Sequence, residues 1–312
     1  MERPVYSFVV PVYNEEETLE ELYRRLSAVA QQLDGPAEVV FVDDASSDGS
    51  QRILQSFLAR DPRVRTVRLA RNFGHQVAIS AGIDHARGDA VVIMDADLQD
   101  PPEVVPKLVE RWREGYDVVY GVRERRQGDT WFKRVTASLF YRLLHSFAET
   151  DVPVDAGDFR LIDRKVADAF RALPERHRYV RGLFAWLGFR QIGVPFARDP
   201  RFAGEPKYSY RASLRLAIDG IVSFSTAPLR FALVFGCVVA LATFVVGIFA
   251  LVTRIAGFYS LPGWASILVV VSFVGGVQLV LISAVGLYVG RMYDEVKARP
   301  LYVVEDEPRT AT

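Results

Sequence analysis

An acidic pair, Asp95 and Asp97, follows the apolar run of residues 90–94. Such a run is typical of a central strand in a parallel sheet, and open α/β sheets bind ligands at the carboxyl ends of their strands. Carboxylate and amide oxygens are ligands that Mg²⁺ and Mn²⁺ prefer, and Mg²⁺ usually keeps substrate phosphates in its coordination shell. Asp95, Asp97 and the amide oxygen of Gln99 are therefore a candidate site for a divalent metal held over a phosphate.

These aspartates also have a purely structural interpretation. Asp is favoured at helix caps and Pro in the first helical turn, so Asp97 or Asp100 alternatively caps a helix that Pro101 and Pro102 begin. A short acidic motif is weak evidence when it stands alone. We favour the cap for Asp100, whereas the metal interpretation of Asp95 and Asp97 depends on what surrounds them.

The elements that would position the acidic pair alternate along the first 125 residues. Apolar runs alternate with amphipathic segments, and this pattern predicts βαβ units and an α/β fold with a mostly parallel, Rossmann-like sheet. Strands are expected near residues 6–11, 38–42, 65–69, 90–94 and 117–120. Helices are expected near residues 16–33, 49–60, 75–86 and 102–114.

Polar clusters follow four consecutive predicted strands. They are Tyr13-Asn-Glu15, Asp43-Asp-Ala-Ser-Ser-Asp-Gly49, Arg71-Asn-Phe-Gly74 and Asp95-Ala-Asp97. Each cluster alone also fits turn and capping residues, but parallel strands bring their carboxyl ends to one edge, where a nucleotide site is expected. Because neither a glycine-rich dinucleotide fingerprint nor a phosphate-binding loop is present, a diphosphate would be held by metal and side chains. This combination indicates an enzyme that uses a nucleotide sugar.

Two long uncharged stretches lie in the last third of the 312-residue chain. Residues 231–253 and 255–290 contain no Asp, Glu, Lys or Arg, which predicts transmembrane helices near 230–253 and 264–290 rather than a buried hairpin in a soluble domain. Basic residues flank the outer ends of both stretches, and only Arg254 lies between them, so both termini are expected in the cytoplasm. Met1–Val5 lacks the features of a signal peptide.

Charge and cysteine content exclude other classes. The chain has 38 basic and 38 acidic residues, so its neutrality gives no reason to propose a nucleic-acid partner. Cys237 is the sole cysteine, which excludes disulfides and a cysteine-based zinc site within one chain.

The polar clusters resemble those of family 2 inverting glycosyltransferases. Three later segments resemble the polyprenyl-phosphate branch of that family: Gly157-Asp-Phe-Arg-Leu161, Arg181-Gly-Leu-Phe-Ala-Trp-Leu-Gly-Phe189 and Arg201-Phe-Ala-Gly-Glu-Pro-Lys-Tyr-Ser209. The similarity extends over about residues 5–300 and is greatest to the bacterial undecaprenyl-phosphate glucosyltransferases. It implies a GT-A fold, a nucleoside diphosphate sugar donor, Mg²⁺ or Mn²⁺, and a lipid phosphate acceptor.

The resemblance also assigns roles to matching positions. It implies nucleotide-sugar binding by Pro11, Tyr13, Glu15, Asp43, Asp44, Arg71 and Asp95, and metal binding by Asp95, Asp97 and Gln99. Asp97 and Asp158 are the candidate catalytic residues. Asp158 matches a position often treated as the base, but a lipid phosphate is largely ionised near neutral pH because its second pKa is about 6, so a positioning role fits equally well. The alternative is a purely structural role, in which Asp158 is a turn residue that pairs with Arg160.

A lipid phosphate needs cations near the bilayer. Arg123, Arg134, Ser138 and Lys207 are the candidate contacts. Apolar residues recur every four positions in 130–147 and at helical spacing in 209–224, which predicts amphipathic helices lying either in the membrane interface or on the domain's own core.

The expected organisation is a cytosolic GT-A catalytic domain at 1–208, with an interfacial helix at about 130–147. A juxtamembrane amphipathic helix at 209–229, a two-helix transmembrane hairpin at 230–290 and a cytosolic tail at 291–312 follow. The expected reaction is inverting transfer of one sugar, with glucose from UDP-glucose favoured, to undecaprenyl phosphate on the cytoplasmic face of the inner membrane. A mannosyltransferase using GDP-mannose, a processive polysaccharide synthase and a non-catalytic nucleotide-sugar-binding module are the alternatives. Glycines in the second span permit close helix contacts and hence a homo-oligomer, for which the resemblance favours a tetramer.

Overall fold

A computed structural model describes residues 3–123, 156–176, 178–197, 227–256 and 263–306. The chain divides into a unit that carries the sheet and a unit that carries two long helices. The sheet unit contains, in chain order, β1 (Tyr6–Val12), α1 (Leu19–Gln32), β2 (Ala37–Asp43), α2 (Ser50–Arg60), β3 (Val64–Leu69), α3 (His75–His85), β4 (Ala90–Ile93), a 3₁₀ turn (Pro102–Val104), α4 (Val105–Arg113), β5 (Val118–Arg123), β6 (Ala156–Asp163), α5 (Arg164–Arg171), α6 (Val180–Trp186), β7 (Gln191–Phe196) and, near its end, β8 (Val304–Asp306). The second unit contains α7 (Ala227–Ile255) and α8 (Trp264–Val296).

The sheet is mixed and mostly parallel, as the sequence predicts. Within the described residues its strand order is β7-β5-β6-β4-β1-β2-β3-β8. Strands β4, β1, β2 and β3 run parallel to their neighbours in this group, as do β5 and β7, whereas β6 is antiparallel to both β4 and β5. The carboxyl ends of β1 to β4 therefore meet at one edge, which is where the polar clusters were expected to converge.

The central strand β1 is buried along its whole length because helices cover both faces of the sheet. Tyr6 and Phe8 lie in the main hydrophobic cluster, while Val9 contacts α3 on the other face. A Cβ on Gly82 would overlap Val9 Cγ1, so a glycine at this position lets α3 pack close to β1. This packing fixes the start of α3, where His75 lies beside the acidic pair.

The two long helices agree with the predicted spans. Phe231–Thr253 and Val269–Val296 are long and apolar enough to cross a membrane, and neither stretch is buried within the protein. Helix α8 continues to Val296, six residues beyond the predicted end of the hairpin. The amphipathic helices predicted at 130–147 and 209–229 lie outside the described residues.

The final strand was not predicted from the sequence. Residues 304–306, expected only to be part of a tail, form β8, which pairs antiparallel with the edge strand β3. The Ala70 N–H donates to the Val303 carbonyl at 2.9 Å and extends this pairing. Residues 304–306 therefore belong to the sheet unit.

Candidate active site

The loops that follow β1 and β2 are joined by hydrogen bonds. Asn14 has a positive φ of 54° and accepts at Oδ1 from the Ser47 N–H at 2.8 Å. The Glu15 N–H donates to Ser50 Oγ at 2.9 Å, and Gly49 N–H donates to Glu16 Oε2 at 2.7 Å. These bonds hold the two loops together. Of the predicted site residues nearby, Pro11 is buried within β1 and Tyr13 is exposed just beyond it.

Asp44 organises the next loop. Its carboxylate accepts the N–H groups of Phe73 at 2.7 Å and Gly74 at 2.8 Å. Burial raises the pKa of Asp44, and the two N–H groups oppose that rise. Gly74 has a φ of 99°, a conformation that side chains rarely adopt, so Asp44 holds a glycine-dependent turn directly before α3. Asp44 therefore stabilises this turn, and these contacts explain its burial without the implied binding to a nucleotide sugar.

Asp43 carries a buried oxygen that no hydrogen-bond donor satisfies. Its side chain is buried, with the residue only 2% exposed, and Oδ1 accepts the Ser46 N–H at 2.8 Å. Oδ2 has no hydrogen-bond donor, although Arg68 Nε lies 4.0 Å away. A buried carboxylate oxygen without a donor is costly, so this oxygen is suited to accept an N–H from a ligand. The predicted nucleoside residue Arg71 lies exposed in the next loop and stacks on the Phe73 ring at 3.9 Å.

The acidic pair lies on the accessible side of its segment. Asp95, Asp97 and Gln99 are partly exposed, and they alternate with the buried residues Ala96, Leu98 and Asp100. The Gln99 N–H donates to Asp97 Oδ1 at 3.1 Å, which fixes that carboxylate. Each of the three predicted metal ligands is therefore partly accessible in the turn that follows β4.

The oxygen ligands that Asp95, Asp97 and Gln99 offer suit a divalent ion that also binds a substrate. Among the described residues, no group of three His, Cys, Asp or Glu side chains is arranged to hold a metal. Asp95 Oδ1 is a buried oxygen whose nearest cationic neighbour is His75 Nε2 at 3.3 Å, and all three predicted ligands offer oxygen atoms. Such an incomplete shell suits Mg²⁺ or Mn²⁺, whose remaining positions water and phosphate would fill.

Asp158, a predicted site residue, lies at the centre of a charge cluster. The sequence did not predict that Arg181 and His75 are its partners. It stands on β6 and accepts two hydrogen bonds from Arg181, at 2.7 Å to Oδ1 and 3.0 Å to Oδ2. Gln76 Nε2 donates to Oδ2 at 3.3 Å, and His75 Nε2 lies 3.4 Å from the same oxygen. The alternative in which Asp158 is a turn residue paired with Arg160 is wrong, because Asp158 is a strand residue and its ion-pair partner is Arg181. Arg160 instead donates to the Gly157 carbonyl at 2.8 Å.

His75 links this cluster to the acidic pair. Its Nε2 lies 3.3 Å from Asp95 Oδ1 as well as close to Asp158. Burial alone would lower the pKa of His75, but the Asp95 charge and the hydrogen bond to Asp158 raise it well above the ordinary value. Burial alone would raise the pKa of Asp158, but the hydrogen bond from His75 and the Arg181 charge hold it far below its usual range. These pKa shifts favour the ionised form of Asp158 and the protonated form of His75 within the cluster.

The residues after the acidic pair differ from the cap expected for them. Asp100 is buried, and its Oδ1 lies 3.5 Å from Arg123 Nη2. The 3₁₀ turn that follows has Pro101 as its N-cap and no side-chain cap hydrogen bond. The predicted helix cap at Asp100 is therefore wrong, because burial with an arginine outweighs the local capping preference.

The lipid-phosphate candidates are only partly described. Arg123 is partly exposed at the end of β5 and pairs with Asp100. Arg134, Ser138 and Lys207 lie outside the described residues. The described part of the candidate site thus consists of the loops after β1 to β4 and the charge cluster around Asp158.

Carboxylates at the end of a central strand of a mostly parallel sheet, beside loops that hydrogen bonds join to one another, are the arrangement of a transferase of the GT-A type. Residues 7–171 match the family model described as glycosyl transferase family 2. The chain belongs to this family, and it is a glycosyltransferase.

Relatives match over nearly the whole chain. The uncharacterized glycosyltransferase YkcC of Bacillus subtilis (strain 168) is 46% identical over 300 residues, which cover 96% of this chain and 93% of the relative. The uncharacterized glycosyltransferase sll0501 of Synechocystis sp. is also 46% identical, over 96% of this chain and 94% of its own length. The prophage bactoprenol glucosyl transferase homolog of Escherichia coli (strain K12) is 38% identical, over 96% of this chain and 98% of the relative.

Proposed function

We propose that this glycosyltransferase moves one glucose from UDP-glucose to undecaprenyl phosphate, with inversion at the anomeric carbon. The observation that carries the proposal is that a nucleotide crevice with an accessible acidic pair shares its chain with two unburied apolar helices. An acceptor dissolved in the bilayer explains why one chain needs both parts. The near full-length similarity to a bactoprenol glucosyl transferase homolog supports the same acceptor and sugar.

The donor nucleotide is held by the crevice. Asp43 Oδ2 accepts the ring N–H of the base, while Tyr13 and Arg71 offer an exposed ring and an exposed guanidinium nearby. Asp95, Asp97 and Gln99 hold Mg²⁺ or Mn²⁺ through oxygen atoms. A divalent ion bound there supplies positive charge against the leaving diphosphate.

Asp158 acts by position rather than as a strong base. Its two oxygens accept hydrogen bonds from Arg181 and Gln76, and its low pKa makes it a weak proton acceptor. The attacking phosphate is largely ionised at neutral pH, so it needs no base of high pKa. Asp158 therefore fixes His75 and Arg181, and these cations stabilise negative charge as the sugar–diphosphate bond breaks.

The acceptor side and the cellular arrangement follow from the same proposal. Arg123, Arg134, Ser138 and Lys207 contact the lipid phosphate, and Arg123 does so while paired with Asp100. The sheet unit and both termini lie in the cytoplasm, and the two spans cross the inner membrane. The chains form a homo-oligomer, with a tetramer favoured.

A substrate panel tests this function. The full chain, purified in detergent, is incubated with UDP- and GDP-sugars and undecaprenyl phosphate, with Mg²⁺, Mn²⁺ or a chelator. We expect mass spectrometry to show a lipid carrying one hexose with UDP-glucose and a metal ion. Transfer only from GDP-mannose would contradict the sugar and base, a long polymer would indicate a processive synthase, and no transfer from any donor would indicate a binding module.

A further inference from the structure

Gln76 joins two parts of the charge cluster through the two ends of its side-chain amide. Its Nε2 donates to Asp158 Oδ2 at 3.3 Å, and its Oε1 accepts the Val180 N–H at 2.9 Å. The amide satisfies both partners in only one orientation, because an ionised carboxylate only accepts hydrogen bonds and a backbone N–H only donates them. Gln76 therefore connects the second residue of α3 both to β6 and to the first residue of α6.

The contact with Val180 holds the start of α6. The first N–H groups of a helix have no acceptor within that helix, and Tyr179, the N-cap of α6, makes no side-chain cap hydrogen bond. Val180 is buried, so an acceptor for its N–H has to come from the protein. The Gln76 amide oxygen supplies, from a different element, the acceptor that a local cap would ordinarily supply.

Arg181 follows Val180 directly, so the position of Val180 determines where the arginine side chain begins. The Arg181 guanidinium binds Asp158 at two points, with Nε 2.7 Å from Oδ1 and Nη2 3.0 Å from Oδ2. The Gln76 amide reaches the same carboxylate from α3. One side chain thus holds both the backbone beside the arginine and the carboxylate that the arginine binds.

We infer that Gln76 is a positioning residue for sugar transfer, because it fixes Arg181 and Asp158 relative to each other. The inference rests on the proposed function in one respect, the role of Arg181 in stabilising charge as the sugar–diphosphate bond breaks. Displacing a cation that acts in the transition state lowers kcat more than it changes the KM for the donor. Loss of the Gln76 contacts should therefore lower kcat about 10-fold and leave the donor KM within about 2-fold of the wild-type value.

Three variants separate the two contacts of Gln76. Gln76→Met keeps the length of the side chain and removes both hydrogen bonds. Gln76→Glu keeps an oxygen acceptor for the Val180 N–H but places a second carboxylate beside Asp158, where like charges repel. Gln191→Met is the matched control, because Gln191 Nε2 donates to the Phe184 carbonyl at 2.8 Å, toward the other end of α6.

Amide hydrogen exchange of the full chain in detergent tests the contact with α6 and needs no substrate. Overlapping peptides that include Val180 report the protection of its N–H. We expect this amide to exchange at least about 5-fold faster in Gln76→Met than in the wild type, and near the wild-type rate in Gln76→Glu and Gln191→Met. Equal exchange in Gln76→Met and the wild type would overturn the inference.

Steady-state kinetics test the effect on the reaction, with the donor and acceptor that the wild type turns over in the substrate panel. Below the melting transition of every variant, we expect both Gln76 variants to lose about 10-fold in kcat at a nearly unchanged donor KM, and Gln191→Met to keep kcat within about 2-fold. Full kcat in Gln76→Glu would show that Gln76 only supports α6, and would overturn the inference.

A double variant tests whether Gln76 acts through Arg181. Gln76→Met combined with Arg181→Met should be no slower than Arg181→Met alone, because the group that Gln76 positions is already absent. A further loss of about 10-fold in the double variant would overturn the inference. A wild type that uses a different donor or acceptor contradicts the proposed function, but both the exchange and the kinetic comparisons keep their meaning.

Discussion

Replacing Arg181 by Met should destabilise the protein through Asp158. The variant keeps most of the side-chain volume but removes both hydrogen bonds to a carboxylate that is 3% exposed. Removing one partner of a buried ion pair costs about 3–5 kcal/mol. One third of the Arg181 side chain is exposed and His75 and Gln76 still contact Asp158, so we expect about 3 kcal/mol.

Thermal melting of the full chain in detergent measures this effect. For a unit of this size, about 3 kcal/mol corresponds to a fall in Tm of roughly 6–12 °C. Adding Asp158→Asn to Arg181→Met removes the uncompensated charge, so the double variant should melt above Arg181→Met alone. Arg111→Met, which breaks an exposed ion pair with Glu114, is the control and should lower Tm by less than about 3 °C. A Tm for Arg181→Met equal to that of Arg111→Met would refute the buried-pair reasoning.

Acid should remove the contribution of Asp61 to the free energy of unfolding. Burial opposes the ionisation of Asp61, but hydrogen bonds from Arg63 and Tyr23 outweigh burial and lower its pKa from 3.8 to about 2. Its side chain is 9% exposed, and the lowered pKa stabilises the folded state by about 2 kcal/mol above pH 4, about half of which is lost by pH 3. Unfolding measured between pH 5 and pH 3 should therefore show a shallower decline in Asp61→Asn, and an identical decline would contradict this pKa. Gly74→Ala has free space for its Cβ but a φ of 99°, so it should cost about 1–3 kcal/mol of backbone strain in melting experiments and weaken UDP binding. An alanine variant as stable as the wild type would show that the turn does not depend on glycine.

The sheet could be predicted because its signal is local. The apolar runs of β1 to β5 and the amphipathic helices between them place every predicted element within three residues of its observed ends, apart from the 3₁₀ turn that opens α4. The convergence of Asp43, Arg71 and Asp95 at one edge follows from parallel pairing alone. The nucleotide-binding, metal-binding and catalytic roles predicted for these residues came from the family resemblance, because composition and spacing do not assign them.

The remainder depends on contacts between distant segments. His75, Asp158 and Arg181 come from the start of α3, from β6 and from the start of α6, and their spacing along the chain gives no sign that they meet. Strand β8 has only three residues, and its pairing with β3 is determined by tertiary contact rather than by β-propensity. Asp100 shows the same effect, since a capping preference worth about 1 kcal/mol yields to burial beside Arg123.

The most direct test of the account is sugar transfer by Asp97→Asn. The substitution keeps the size of the side chain and removes the charge that is proposed to hold a metal over the diphosphate. With UDP-glucose, undecaprenyl phosphate and Mg²⁺ or Mn²⁺, we expect the full chain to lose transfer by about 10²- to 10³-fold while its Tm stays near that of the wild type. Formation of glucosyl lipid at nearly the wild-type rate by the folded variant would contradict the central role of the acidic pair.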